Sequence, residues 1–479
     1  MRSPGTLLRV VAGGALVALA GCNLLTGAAD LTTDLCETCL DGGGGPGDGG
    51  SSEASALDRN VPDGSEDGGI EGPGGALDNG FGTAGTADLD ALLTPAGIAV
   101  RGDGRILVVG ESSNQLAAVA LLANGALDAA FGTGGRVIRA QGDQSSGRAV
   151  AFDAMGRALV AGQAVTVLNG LGTSYPHVVR FGNTGVDSTF GTNGGWRSNN
   201  GGEYANGVVA SPADGAMITV TGGSDHEILG LTNEGEVDQA FGTNGTGRVQ
   251  GVGGATIGLV RAPDGYVTGG LGNSSAGGRS LAAARLTLAG APVLTYGSAG
   301  KAYADISAEN EDATAVARQP DGAVLLGGDF DPRLGMPTRR IAGVARIAPT
   351  GAADMAYGAA GRTLVDLSEV GIARETDTRI IALFVDAKGR AIVVGSVTDR
   401  PIAGGQNERN RAWVARLKTD GSFDPLFGTQ GKVFLNAATL RIIPVAAALQ
   451  ADGKIVVVGR NVGNGNRLWL ARIVTSTTL

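Results

Sequence analysis

Leu77-Asp78-Asn79-Gly80-Phe81-Gly82-Thr83 decides the reading of this chain, because the phrase returns. The same acidic, aromatic and glycine knot stands at Leu127-Asp128…Phe131-Gly132-Thr133, Val186-Asp187…Phe190-Gly191-Thr192, Val237-Asp238…Phe241-Gly242-Thr243 and Phe423-Asp424…Phe427-Gly428-Thr429. Weaker copies centre on Tyr296-Gly297 and Tyr357-Gly358, which makes seven. Short apolar runs follow each knot; in the second unit they are 136–139, 149–152, 158–162 and 177–181. The second and third runs of a unit meet at a tight turn: Met155-Gly156 here, and Asp103-Gly104, Asp214-Gly215, Asp264-Gly265, Asp321-Gly322, Lys388-Gly389 and Asp452-Gly453 elsewhere. Asp-Gly between apolar runs predicts a β-hairpin closed by a type I′ turn, with φ > 0 at both central residues. Near-continuous apolar runs such as 392–394 and 455–458 fit strands buried on both faces. Four strands per unit and seven units predict an all-β fold, a seven-bladed β-propeller of four-stranded antiparallel blades over residues 77–479.

Upstream of the repeats the chain changes character twice. Arg2 and Arg9 precede or interrupt a short apolar stretch from Leu7 to Ala20, and Leu19-Ala20-Gly21-Cys22 has the form of a lipobox. Residues 1–21 therefore read as a lipoprotein signal peptide and Cys22 as the lipidation site; an ordinary cleaved secretory signal is the alternative. Two or three acyl chains on Cys22 would give a durable membrane anchor. Asn23 after the cysteine resembles the enterobacterial pattern for outer-membrane sorting, so the expected address is the bacterial cell envelope, lipid-anchored at the outer membrane. Residues 22–76 are rich in Gly and Asp, as in Gly42-Gly43-Gly44-Gly45-Pro46-Gly47-Asp48, and read as a disordered tether. As flexible coil, residues 40–76 would reach about 35 Å. Cys36 and Cys39, outside the cytoplasm, read as a local disulfide, with free thiols the alternative.

An Arg recurs in the fourth run at Arg180, Arg285, Arg346, Arg416 and Arg472, with Ala120 and Gly230 breaking the series. The knot Asp recurs too, with Leu294 interrupting it. Such pairs are expected to pin the knots rather than bind a ligand. The knot L-D-x-x-F-G-T, followed by Asp103-Gly104-Arg105-Ile106-Leu107-Val108-Val109-Gly110 or Asp452-Gly453-Lys454-Ile455-Val456-Val457-Val458-Gly459, resembles the delta-60 repeat of bacterial surface and secreted proteins. The resemblance covers about 400 residues and implies a propeller-like repeat protein with no catalytic activity shared across the family.

No catalytic, cofactor or metal residue is assigned. His177 and His226 are the only histidines, and Asp225-His226-Glu227 reads as a solvent loop entering a strand. A formal net charge of −9 argues against a nucleic-acid partner. Unit length is more informative: Tyr296 to Tyr357 is 61 residues and Tyr357 to Phe427 is 70, against about 50 in the shortest units. The extra residues, in loops between the third and fourth runs, carry Arg333, Arg339 and Arg340, then Arg400, Arg409 and Arg411. Strand alternation puts both loops on the face opposite the Asp-Gly turns, where insertions commonly form a binding surface. The expected function is non-enzymatic: a monomeric envelope lipoprotein presenting a recognition or scaffold module to a protein or an anionic glycan. The alternative is a hydrolase or lyase acting on polysaccharide through carboxylates converging at the ring axis.

Overall fold

A computed structural model describes residues 71–478 apart from 73, 91–92, 274–277, 309, 333–339, 366, 368–373, 402–408, 436–440 and 476. Cys22, Cys36, Cys39, Arg333 and Arg339 lie outside the described residues. The described residues form seven four-stranded antiparallel sheets and a two-stranded ribbon. Blade 1 runs outward from Thr94–Val100 through Ile106–Ser112 and Gln115–Leu121 to Arg136–Arg139. Blades 2 to 6 occupy 144–197, 204–249, 256–304, 311–365 and 374–434 in the same order. Blade 7 takes its three inner strands from 442–473 and its outer one, Thr86–Leu89, from the other end of the chain. The first strand of each blade lies against the first strand of the next, and Ile442–Leu449 returns to Thr94–Val100, so the ring closes. Those first strands line the axis.

The repeat and the blade are therefore out of phase by one strand. The short run after each knot, Arg136–Arg139 in the second unit, is not the inner strand of a new blade but the outer strand of the preceding one. This offset lets the first repeat supply the last blade's missing strand, joining the chain ends across the ring.

The knots lock neighbouring blades together. Each buries its ring, and none of Phe81, Phe131, Phe190, Phe241, Tyr296, Tyr357 and Phe427 is more than 2% exposed. The glycine after each ring donates its N–H to a carbonyl of the next blade's corresponding turn, from Gly82 to Asn124 and onward to Gly358 and Asp420, at 2.6–2.8 Å. The seventh bond, Gly428 N–H to Gly74 O at 2.9 Å, ends on the N-terminal segment. Gly235 shows why this turn demands glycine: its φ is +83°, and a Cβ there would stand 2.5 Å from Gly191 N.

The predicted hairpins exist, but none of the seven turns has positive φ at both residues of its dipeptide, so none is type I′. In blade 1, Gly104 N–H donates to Arg101 O and Arg101 N–H to Arg105 O, each at 2.8 Å. Only Gly104 of the Asp103-Gly104 pair has positive φ, which defines a three-residue loop ending in a left-handed glycine. Two positive φ values in succession occur instead between the second and third strands, at Ser113-Asn114 and Asn169-Gly170.

Candidate binding face

The two ends of the ring differ in chemistry. The Asp-Gly turns and the knots share one face: Arg105 of a turn pairs with Asp128 of a knot, Arg285 with Asp264, and Thr475 Oγ1 donates to Gly453 O at 2.6 Å. Both described chain ends lie here. Leu77 bridges Ile473, Gly75 N–H donates to Val474 O at 2.7 Å, and Glu71–Gly72 pairs with Thr477–Thr478. The opposite face carries the connections between second and third strands.

On the knot face the recurrent arginines are consumed by structure, as expected from their spacing. Arg180 Nε lies 2.7 Å from Asp187, Arg416 Nε 2.7 Å from Asp424, Arg472 Nε 2.9 Å from Asp78 and Arg346 Nη1 2.5 Å from Asp354. Each guanidinium also covers its knot ring, at 4.7 Å for Arg180 on Phe190 and 4.8 Å for Arg472 on Phe81. At two of the breaks the remaining partner finds a substitute. Ala120 cannot meet Asp128, so Arg105 does, and Phe131 packs on Phe181 with centroids 5.8 Å apart. In blade 4 the residue at the Asp position is Val293 rather than Leu294, since Val293 N–H makes the bond to Arg285 O that knot Asp residues make elsewhere. Arg285 turns to Asp264 instead.

Of the predicted arginine face, the structure describes the side chains of Arg340 and Arg411. Arg340 is held by two carboxylates, Asp312 and Asp329, and its backbone N–H donates to Asp377 Oδ1 at 3.0 Å. Burial pushes the Asp329 carboxyl up to about 6, with the Arg340 hydrogen bond and charge pulling the other way. Arg400 and Arg409 lie not in a loop but in strands Ala391–Pro401 and Arg409–Leu417, where Asp399 is the register partner of Arg409. The backbone pairing of 391–397 with the following strand simply continues to Asp399 and Arg409, so the hairpin is longer than the apolar run. Arg411 stacks its guanidinium 4.3 Å over Phe434. The longest described excursion that sequence reasoning missed belongs to blade 2, whose strands Ala158–Leu168 and Leu171–Phe181 pair along their whole length. Leu168-Asn169-Gly170-Leu171 was the signal, a type I′ dipeptide between apolar residues.

The remaining polar interior is structural. His226 is no loop residue: it opens strand His226–Leu231 fully buried, between Thr268 Oγ1 at 2.9 Å and Leu271 O at 3.2 Å. His177 is equally buried and bonded to Ser146 O at 3.0 Å, so its Nε2–H donates. Burial takes both imidazoles down to about 4 and keeps them neutral. Glu311 accepts from Ile306 N, Ser307 N and Leu281 N at 2.5, 2.6 and 3.2 Å. Ser145 and Thr378 accept from Leu116 N and Ala342 N at 3.0 Å at the matching places, so all three act as latches between blades. Burial pushes the Glu311 carboxyl up to about 7, against those N–H donors. Every axial strand carries a bulge, at Ala96, Arg148, Asn206 with Gly207, Ile257, Thr314, Ile381 and Val445. A bulge twists an unpaired edge and releases one side chain from the ladder. Among the described residues no group of three His, Cys, Asp or Glu side chains is placed to hold a metal ion.

Residues 101–131 match the model of a domain of unknown function, DUF5122, described as a β-propeller. No curated protein matches the sequence. Among solved structures the chain is similar to a protein of unknown function from Bacteroides caccae, at 11% identity over 70% of this chain and 99% of that one, with a TM-score of 0.37. It is similar to extracellular domains 1–2 of Drosophila Semaphorin 1a at 9% identity, covering 81% and 88%, TM-score 0.41. A third likeness, at 12% identity over 55% of this chain and 91% of the other, TM-score 0.30, is to the Bacillus subtilis arabinanase Arb43A. At these identities and scores they assign neither partner nor reaction to this chain.

Proposed function

We propose that this chain is a monomeric bacterial envelope lipoprotein, anchored through Cys22 at the outer membrane, whose loop face recognises or scaffolds a protein or glycan without catalysis. The observation that carries this reading is where the chain enters the ring. Glu71–Gly72 pairs with Thr477–Thr478 on the knot face, opposite the extended hairpins of blades 2 and 6. A tether arriving there turns the long hairpins away from the lipid. The knot face is also where the arginines are already spent on knot carboxylates and rings, leaving the other face to vary.

Two experiments test it. Labelled palmitate should enter the wild type and not the Cys22→Ser variant, and equal labelling would remove the anchor from the account. Replacing residues 398–411 by a tight turn should reduce retention of the full chain on envelope material. Undiminished retention would exclude the blade 6 hairpin as the contact.

A further inference from the structure

Three observations meet at the hairpin of blade 2. The first is shape. Strands Ala158–Leu168 and Leu171–Phe181 stay paired out to Leu168 and Leu171, while the inner strand reaches only as far as Val165 and the outer strand Gly195–Arg197 only to His177. The last rungs therefore project beyond the sheet as a two-stranded finger. The second is polarity. Val167, Leu168 and Leu171 at its tip are 42%, 72% and 76% exposed. A tight Asn169-Gly170 turn fixes them, so presenting these side chains to a partner loses little conformational entropy.

The third observation is charge. Arg197 Nη1 donates to Thr166 Oγ1 on the finger at 3.1 Å, and its guanidinium lies 4.9 Å over Tyr175. Arg139, from the outer strand of blade 1, reaches the same corner. A Cβ built on Gly195 would stand 3.3 Å from Arg139 Nη2 and 2.2 Å from Gln141 Nε2; one on Gly142 would stand 3.6 Å from Arg197 Nη1. Glycine at 195 leaves this corner open to the Gln141 amide and the Arg139 guanidinium. Among the described residues neither Arg139 nor Arg197 has an ion pair, in contrast to the knot face. Asp143 is engaged by the finger itself, accepting Val167 N–H at 2.6 Å. Glu111 lies two strands from Arg139 in the ladder, with Leu116 between them.

We infer that this finger is a docking surface for an acidic protein segment that carries an apolar side chain. Leu168 and Leu171 meet the apolar residue, while Arg139 and Arg197 take the carboxylates. The inference rests on the recognition reading above and names its partner. Charge complementarity favours an acidic segment, since two neighbouring cations without counter-ions among the described residues sit on a chain of net charge −9. Exposed leucines beside them favour protein over glycan. Thr166, which anchors Arg197, is two residues from Leu168, about 7 Å along a strand. An extended partner should accordingly place its acid and its apolar residue about two positions apart.

The test is selection of a random peptide display library on the full chain. The expected result is enrichment of sequences with Asp or Glu about two positions from Leu, Ile or Phe. Their affinity should fall at least tenfold for Arg139→Gln/Arg197→Gln and, separately, for Leu168→Ser/Leu171→Ser, with both variants melting like the wild type. Enrichment without acidic residues, affinity indifferent to either pair, or no enrichment would overturn the inference. So would tetragalacturonate binding that depends on the same arginines while peptides do not bind. If envelope retention survives both double variants yet is lost on shortening the blade 6 hairpin, this surface fails and the recognition reading stands.

Discussion

Arg472 Nε lies 2.9 Å from Asp78 Oδ2, so the last long strand of the chain is ion-paired to the first knot. Both groups are largely shielded, with side-chain exposures of 9% and 15%. The same guanidinium covers Phe81 and donates to Ala123 O at 2.5 Å, tying blade 7 to blade 1. Lys454 Nζ, 3.3 Å from Asp78, is the more exposed second cation. Arg472→Met should therefore cost about 2 kcal/mol in a denaturant melt, because it strands a shielded carboxylate. Lys454→Met should cost less than about 1 kcal/mol. Equal costs would mean the closure does not depend on this pair.

Blade 4 offers a gain. Val293 stands where other knots place an Asp whose carboxylate caps a backbone N–H two residues on, as Asp78 Oδ1 does for Gly80 N at 2.9 Å. Val293→Asp should restore that cap and draw Arg285 away from the exposed Asp264, raising stability by about 1 kcal/mol. A loss of that size in the melt would show that Val293 packing outweighs the cap.

Acid should find the two histidines. An unfolded chain binds a proton at each imidazole near pH 6.5, whereas the folded one resists until about 4. Between those values the unfolded state holds more protons, so stability falls as the pH falls through the window. Each histidine can contribute about 3 kcal/mol of this loss by pH 4. His177→Gln, whose amide can still donate to Ser146 O, should flatten the fall between pH 6.5 and 4. Melts at stepped pH check this, and parallel curves for variant and wild type would contradict it.

The ring is legible in one dimension because its signals are local and repeated. A knot such as Leu77 to Thr83 needs glycine at a left-handed position and a ring to bury, and both requirements show in the residue string. What escapes such reading involves relations between strands. Nothing local in Arg136–Arg139 says whether it pairs backward with Gln115–Leu121 or forward with the next run, so the residues alone put repeat and blade in phase. The alignment of Val293 against Leu294 is similarly hidden, because blade 4 lacks the Asp that marks the position elsewhere. The apolar run through Val397 and the polar one after it read as a strand and a loop, yet the backbone pairing carries on to Pro401. The corner built by Arg139 and Arg197 draws on two blades and is out of reach of motif reading.

The closed ring is tested most directly by joining its two ends. Thr86 and Ala471 are register partners in the outer pair of blade 7. In a chain carrying Cys36→Ser and Cys39→Ser, the substitutions Thr86→Cys and Ala471→Cys should form an intramolecular disulfide on mild oxidation, read by intact mass, with a raised melting temperature. Thiols that stay free, or that link separate chains into dimers, would contradict closure through Thr86–Leu89.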